Sequence, residues 1–555
     1  MPIEIFNKEY QEKQIRNVRV KEAEENAEKI AETCGLPYIN LAFKPVQRQA
    51  LSVIAEEEAR KANLAVILKR GNTVTIVLRD PENPHAKDIL HNLKTRFSQI
   101  VIYVVSKFSL EKAWANYPRA VGKEKISGEV AISSVIFEQF KQQINSTTDI
   151  QGAINELSEQ KNVSSVVELL LAGSLQLRVS DIHVEPGEET IRLRLRVDGL
   201  MHEAAELNSH VYSLLLSRIK LLSNLKLNIH DTAQDGRFSV ALQDTEIQIR
   251  TSILPGEYGE NIVLRILNPQ SLLSIEELGI REDLYKIIDR QIRKPHGMIL
   301  TTGPTGSGKT TTLYAFLKKL QTPEVKIITV EDPIEYHLDG ISQTQVAPEK
   351  GYTFATGLRA ILRQDPDIIL IGEIRDLETA DTALQAALTG HLLLSTLHTN
   401  DAAGVIPRLT DIGASPPTIG PALNMAIAQR LIRRVCEKCK TFRKATTDEL
   451  ALLKHVLKDL PQDVKLPKEI NENLEIAQPN KCAVCAESGY KGRVGIYELL
   501  VSDRELEKFI MSNPSITDVR ELALQKGMTT LKQDGFLKVL EGATTIQEVE
   551  RIMGE

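Results

Sequence analysis

Long apolar runs are missing from this sequence. No stretch reaches the roughly 18 consecutive apolar residues that a membrane-spanning helix needs, and Met1–Tyr10 has no apolar core of a secretory signal. The chain is therefore expected to stay in the cytoplasm. Cysteine is scarce, with five among 555 residues, too few for a disulfide framework. Four of the five fall in two Cys-x-x-Cys pairs, a pattern of metal binding in a reducing compartment, which leaves Cys34 as an inert thiol. An excess of positive charge is also absent. The formal net charge is −6 and aromatic residues make up 5%, so neither a broad phosphate-neutralising surface nor an aromatic-basic stripe is present, and no nucleic-acid partner is expected.

What is present is length enough for several cores, about three to five domains. Glu22 to Tyr117 reads as a charged helix followed by short β-rich runs at Ala65–Leu68 and Val74–Leu78, a small α+β module. A polar stretch, Gln142 to Asn162, has the composition of a linker. After it come a helix near Val163–Gln176 and strands near Asp181–Val184, Thr190–Val197 and Glu246–Ile253. From about Asp283 to Leu409 short apolar strands alternate with helical segments, as in a parallel sheet covered by helices. Paired cysteines and a helical tail, Arg504 to Ile552, follow.

The segment Gly303-Pro304-Thr305-Gly306-Ser307-Gly308-Lys309-Thr310 is a complete G-x-x-x-x-G-K-T P-loop. Met298–Thr302 reads as the strand that feeds it, and Thr311 opens the helix Thr311–Leu320. Glycines here let backbone N–H groups close around phosphate at a helix N-terminus. Lys309 is then the group for the β- and γ-phosphates of ATP, and the Thr310 hydroxyl a ligand for Mg²⁺. Three more strands end in polar residues: Lys326–Val330 runs into Glu331 to Glu335, Ile368–Ile371 into Gly372 to Asp376, and Leu392–Leu397 into His398-Thr399-Asn400. Ligands bind outside the carboxyl ends of such strands. Glu373 is assigned to the Mg²⁺ side, Glu331 to water activation with Glu335 second, and His398 to γ-phosphate sensing or a bridge to a neighbouring subunit.

Cys436, Cys439, Cys482 and Cys485 supply four thiolates in two chelating pairs, the ligand set of a closed, structural Zn²⁺ site. The chain between the pairs is expected to form a small subdomain pinned at its base.

Taken in order, Gly303–Thr310, Glu331-Asp332-Pro333-Ile334-Glu335, Leu362–Asp367 with Gly372–Asp376, and Gly390-His391 to Asn400 resemble the Walker A, acidic-box, Walker B and histidine-box segments of the type II secretion and type IV pilus assembly ATPases. The resemblance extends upstream through Ser180–Pro186, Arg194–Gly199 and Gln234–Arg237, and covers about Val163 to Leu500. One departure is Ile229–Ala233, where relatives usually carry basic residues and a proline.

The resemblance implies an α/β multidomain chain. Its parts are an N-terminal α+β module (1–141), a linker (142–162), a PAS-like α+β lobe (163–282), a RecA-like P-loop domain (283–430), a zinc-binding subdomain (431–497) and a C-terminal helical domain (498–555). It also implies a homo-hexamer with ATP held between two lobes, closed on by arginines of the first. Arg194, Arg196 and Arg237 are the candidates. Ala27–Leu41, with Gly35-Leu36-Pro37-Tyr38-Ile39-Asn40-Leu41, resembles the family's N-terminal domain, which docks to an inner-membrane platform protein and would attach the chain peripherally to the inner membrane. Some relatives bind cyclic di-GMP there, but the arginine- and glycine-bearing repeats for it are not evident before Ala27, and no such ligand is assigned. A tetracysteine element together with an N-terminal module points to an extension or secretion motor. The alternatives are a retraction motor and a DNA-translocating ring.

Overall fold

The computed structural model describes residues 22–554 apart from 42–47, 52, 55, 71–72, 98, 115–128, 132–136, 138–143, 145, 147–148, 160–162, 243–244 and 269–271. The reading of Met1–Tyr10 and parts of the linker reading therefore lie outside the described residues. Two units are distinguished, Met1–Glu124 and Lys125–Glu555.

In the first unit, β1 (Leu64–Arg70) and β2 (Thr73–Leu78) pair antiparallel, and β3 (Gln99–Val104) pairs parallel to β2. A parallel pair needs a crossover, supplied by the helix Pro84–Arg96. Asn83 caps that helix, accepting from His85 N–H at 2.9 Å and Ala86 N–H at 3.4 Å, and Pro84 sits where its missing N–H costs nothing.

The second unit opens with a lobe built on seven strands. These are β4 (Glu129–Ala131), β5 (Val179–Pro186), β6 (Ile191–Val197), β7 (Leu200–Leu207), β8 (Gln234–Leu242), β9 (Thr245–Gly256) and β10 (Gly259–Leu267), in the order β4-β8-β9-β10-β5-β6-β7. Alternation in these strands separates two faces. Ile182, Val184, Leu193, Leu195 and Leu264 are buried with residues of the helices Val163–Gln176 and Ser209–Leu222. On the other face one cross-strand row reads Arg237, Arg250, Arg265, Asp181, Arg196.

A second seven-stranded sheet comprises β11 (Gly297–Thr302), β12 (Ile327–Glu331), β13 (Ser342–Gln345), β14 (Ile368–Ile371), β15 (Leu392–Leu397), β16 (Leu423–Val435) and a strand later in the chain. Two short strands, β17 (Thr441–Lys444) and β18 (Glu475–Gln478), pair with each other. The last, β19 (Tyr490–Val501), joins that second sheet, whose order is β13-β12-β14-β15-β11-β16-β19. All neighbours in it are parallel except β16 and β19. The ends of β12, β14, β15 and β11 therefore stand side by side at one edge.

The structure departs from the expected boundaries at four places. β4 lies before residue 141 yet pairs with β8. Within 142–162 there is a helix, Asp149–Glu159, whose Ile150 and Ile154 are buried in the first lobe's core, because four-residue spacing puts both on one side. β19 begins inside 431–497 but is an edge strand of the ATPase sheet, so the cysteine-bearing segment leaves and re-enters that sheet. The helical tail is no appendage: Leu506, Val519, Phe536, Leu537 and Val549 share one core with Leu300, Ile371 and Ile496.

Candidate active site and metal centre

β11 is buried along its whole length and delivers the chain to the turn from which the helix Lys309–Leu320 starts. Gly303, Gly306 and Gly308 have φ of +140°, +78° and +91°, values that side chains adopt only with strain. A Cβ at Gly303 would stand 2.5 Å from the Gln429 carbonyl, and one at Gly308 2.7 Å from Gln429 Nε2. Gln429, on β16, thus backs the loop, and its Oε1 accepts from Thr312 Oγ1 at 2.8 Å. Lys309 Nζ donates to the carbonyls of Gly303 (2.8 Å) and Pro304 (3.1 Å). Burial lowers its pKa from the ordinary lysine value, with Glu373 opposing the shift. Pro304 and Thr305 are exposed and Thr311 is half-buried. Ser307 Oγ is buried without a hydrogen-bond partner.

Lys309, Thr310, Glu331, Glu335, Glu373 and His398 line one cavity of about 160 Å³, so the four strand ends do bring these groups together. They are not equally free. Glu331 is 3% exposed and accepts from Thr329 Oγ1 (2.6 Å), Gln343 Nε2 (3.1 Å) and the Tyr314 hydroxyl. Burial raises its pKa and these donors pull it back. Glu335 pairs with Arg250 at 3.1 Å. Glu373 binds Arg375 at 2.5 Å through one oxygen, while its Oε2 is buried, 3.4 Å from His398 Nε2, and receives no hydrogen bond.

The three arginines expected to close on phosphate are not among the residues lining this cavity. Arg194 pairs with Glu185 at 2.5 Å, Arg196 with Asp181 at 3.4 Å, and Arg237 is exposed at the end of the arginine row. Arg250, one strand over, contacts a residue that lines the cavity, donating to Glu335 Oε1 and, at 3.1 Å, to the Ile334 carbonyl. The alternation in Glu246–Ile253 already places Arg250 on the polar face; only its reach across to Glu335 is invisible from sequence. Ile229–Ala233 is tied down by its own contacts, with His230 Nδ1 2.7 Å from Glu260 and Lys220 Nζ donating to the Ile229 carbonyl at 2.6 Å.

The four paired cysteines converge, all sulfurs within 4.8 Å of one another. Individual separations are 3.9 Å (Cys436–Cys482), 3.8 Å (Cys439–Cys485) and 3.6 Å (Cys482–Cys485). A tetrahedron of sulfurs about 2.3 Å from a central Zn²⁺ has edges of about 3.8 Å, so the set fits the ion. Burial pushes the Cys439 thiol up to about 12. For Cys482 burial is outweighed by the Cys485 N–H and the neighbouring thiols, which bring it down to about 7. The P-loop equally fits a nucleotide triphosphate: it presents a helix N-terminus, an ammonium and a buried unpartnered hydroxyl. For Mg²⁺, the Thr310 hydroxyl opens into the same cavity.

Comparison with known proteins agrees with this geometry. Residues 156–551 match the family model "Type II/IV secretion system protein", and residues 34–123 match the MshEN domain. The chain is 44% identical over 404 residues to the type II secretion system protein E of Pseudomonas aeruginosa, covering 72% of this chain and 78% of that one. It is 36% identical over 519 residues to the type IV pilus assembly ATPase PilB of Myxococcus xanthus, covering 93% and 88%. To PilB of Thermus thermophilus it is 37% identical over 525 residues, covering 94% of this chain and 57% of that relative. The chain thus spans little more than half of the Thermus thermophilus protein. The Legionella pneumophila ATPase DotB shares the fold, with a TM-score of 0.51 at 22% identity over 69% of this chain and 94% of that one. Among the described residues no helix is long and apolar enough to cross a membrane.

Proposed function

The chain belongs to the type II/IV secretion system protein family and is an ATPase, and from that premise we propose that it is a ring motor whose ATP turnover drives type IV pilus or type II secretion pseudopilus assembly. One observation carries the reading: four strand ends bring an ammonium, two threonine hydroxyls, four carboxylates and an imidazole around one cavity. The relatives' names are those of assembly and secretion ATPases, which does not favour the retraction alternative.

In this reading the N–H groups of residues 305–310 bind the triphosphate and Lys309 neutralises its charge. Mg²⁺, held by Thr310, supplies further neutralisation of phosphate charge when bound. Water attacks the γ-phosphorus, the bond to the bridging oxygen breaks, and the water's proton passes to a carboxylate. The strand-end pattern assigns that proton to Glu331. Both Glu331 oxygens, however, are taken up by protein donors, whereas Glu373 Oε2 has none. We therefore assign the proton to Glu373 and a holding role to Glu331. His398, beside Glu373, reports the state of that carboxylate to the loop it belongs to.

The first lobe is PAS-like on this reading, and six chains form the ring. Arg250 links the lobes at Glu335, and Arg194, Arg196 and Arg237 reach phosphate on closure, the first two leaving Glu185 and Asp181. The MshEN-matching module faces an inner-membrane platform protein from the cytoplasm, and the cysteine site carries structural Zn²⁺. Glu373→Gln should bind ATP as well as wild type and lose turnover by a phosphate-release assay, with Glu331→Gln the milder variant. Normal hydrolysis by Glu373→Gln alongside an inactive Glu331→Gln would return the proton to Glu331. Specific activity should also rise with protein concentration; a sedimenting monomer of constant activity would rule out the ring.

A further inference from the structure

Among the described residues, two hydrogen-bonded contacts reach from the first lobe into the ATPase domain, at opposite kinds of site. One is Arg250 on Glu335, at the nucleotide cavity. The other lies at the cysteine loop. There the two-residue turn between β6 and β7, Asp198-Gly199, has φ of +49° and +87°, and Asp198 Oδ2 accepts from the Gly492 N–H at 2.8 Å.

Gly492 is the third residue of β19, just after the second cysteine pair, and its neighbours are fixed by the cysteines. The Cys436 N–H donates to the Gly489 carbonyl at 2.9 Å, and the Gly489 N–H to Cys485 Sγ at 3.3 Å. Gly489 has φ +79°, and a Cβ there would stand 2.7 Å from Pro479 Cβ, so this close approach requires glycine. On the other side Arg433, at the far end of β16, lies 4.1 Å over the Tyr490 ring and pairs with Glu548 at 2.8 Å. Between the turn and the cysteine loop lies a cavity of about 230 Å³, bordered by Val197, His202, Val484 and Tyr490. Lobe and loop therefore meet beside a gap, and the Asp198 bond joins them at its border.

We propose that Asp198 is a positioning residue: its bond to Gly492 is the pivot about which the first lobe swings, and the four-cysteine site is the anchor that keeps the pivot still. A contact held by a metal-ready cluster at one end of the lobe interface makes motion at the other end a rotation, which opens or closes the Arg250 to Glu335 contact beside the reacting phosphate. The proposal rests on the ATPase reading above, because the swing matters only if turnover depends on lobe closure.

Asp198 occupies a left-handed position, where alanine would add strain of its own. The informative variants in the full chain are therefore Asp198→Gly, which removes the acceptor without strain, and Asp198→Asn, which keeps an acceptor oxygen and tolerates the conformation. In Asp198→Gly, hydrogen exchange of the Gly492 amide should rise about tenfold and kcat fall about five- to tenfold, the scale of one lost hydrogen bond. KM for ATP and zinc content by elemental analysis should stay as in wild type. Asp198→Asn should restore both exchange and kcat. Stripping zinc from wild type with a chelator should speed exchange across Val197–His202, in the lobe itself. Unchanged Gly492 protection in Asp198→Gly, equal loss in the asparagine variant, or a turn indifferent to zinc removal would each overturn the pivot. Should the wild-type chain hydrolyse no ATP, the ATPase reading falls while the exchange measurements still decide the contact.

Discussion

The P-loop cavity and the cysteine cluster are built on the same sheet, and they treat their polar atoms in opposite ways. Around the P-loop, Ser307 Oγ and Glu373 Oε2 are buried without donors or acceptors, a condition that costs about 1–3 kcal/mol per group unless something else satisfies it. In the cluster, Cys439 and Cys485 sulfurs contact the Asn480 carbonyl, and the Gly489 N–H donates to Cys485. The first arrangement is unfinished and suits a ligand that comes and goes. The second is finished apart from a single central ion, which suits a permanent resident.

If that contrast holds, removing a group from the unfinished site should cost activity and little stability. Lys309→Ala is expected to lower ATP turnover roughly 10²–10³-fold, as loss of a preorganised charge does, with a thermal midpoint close to wild type. Substituting the finished site should do the reverse. Cys439→Ser or Cys485→Ser should lose the zinc proposed for the cluster and at least about 3 kcal/mol of local stability, a fraction of the ~10–16 kcal/mol with which structural sites bind zinc. Hydrogen exchange across residues 436–490 measures it. Equal effects on both properties in both variants would erase the distinction.

Arg250→Ala should come next. It strips a partner from Glu335 and is expected to reduce kcat about tenfold, in the range of a charge-assisted hydrogen bond, while ATP affinity holds. Arg194→Ala, Arg196→Ala and Arg237→Ala should likewise cost more in kcat than in affinity. The smallest effect is reserved for a surface pair that belongs to neither site. Hydrogen bonding from Lys319, first, lowers Glu276 to about 2 from an ordinary 4.5. A depressed carboxylate stabilises the fold above its unfolded pKa, so this contribution is present above pH ~4.5 and is lost as pH falls toward ~2. Because the pair is exposed and screened, Glu276→Gln should cost about 0.5 kcal/mol or less at pH 7, and less still at pH 3, by denaturant titration.

The nucleotide and cysteine sites are legible from sequence because each is written in short, contiguous signals: a glycine-spaced loop, acids at the ends of apolar runs, thiols three residues apart. What escapes is set by register between distant strands. Tyr314, Gln343 and Gln429 hold catalytic segments from seventeen, twelve and more than a hundred residues away, and no local pattern marks them. β19 is missed as part of the sheet because its first third, Tyr490-Lys491-Gly492-Arg493, reads as the end of a cysteine loop. Asp149–Glu159 is missed because polar residues dominate its exposed side, and its two buried isoleucines are too few to stand out.

The long antiparallel pairing of β16 and β19 has a consequence for how such a chain can vary. Nine consecutive partners from Met425↔Val501 to Arg433↔Arg493 zip the two strands together, so everything between Cys439 and Cys482 hangs from a closed end. Residues added to or deleted from the exposed parts of that span leave unaltered the register that sets Gln429 against the P-loop, whereas Leu453, Leu457, Leu474 and Ile476, buried in the core shared with the helical tail, are held in place. The ladder gives this part of the molecule room to diversify while the chemistry at the other end of the strand stays where it is.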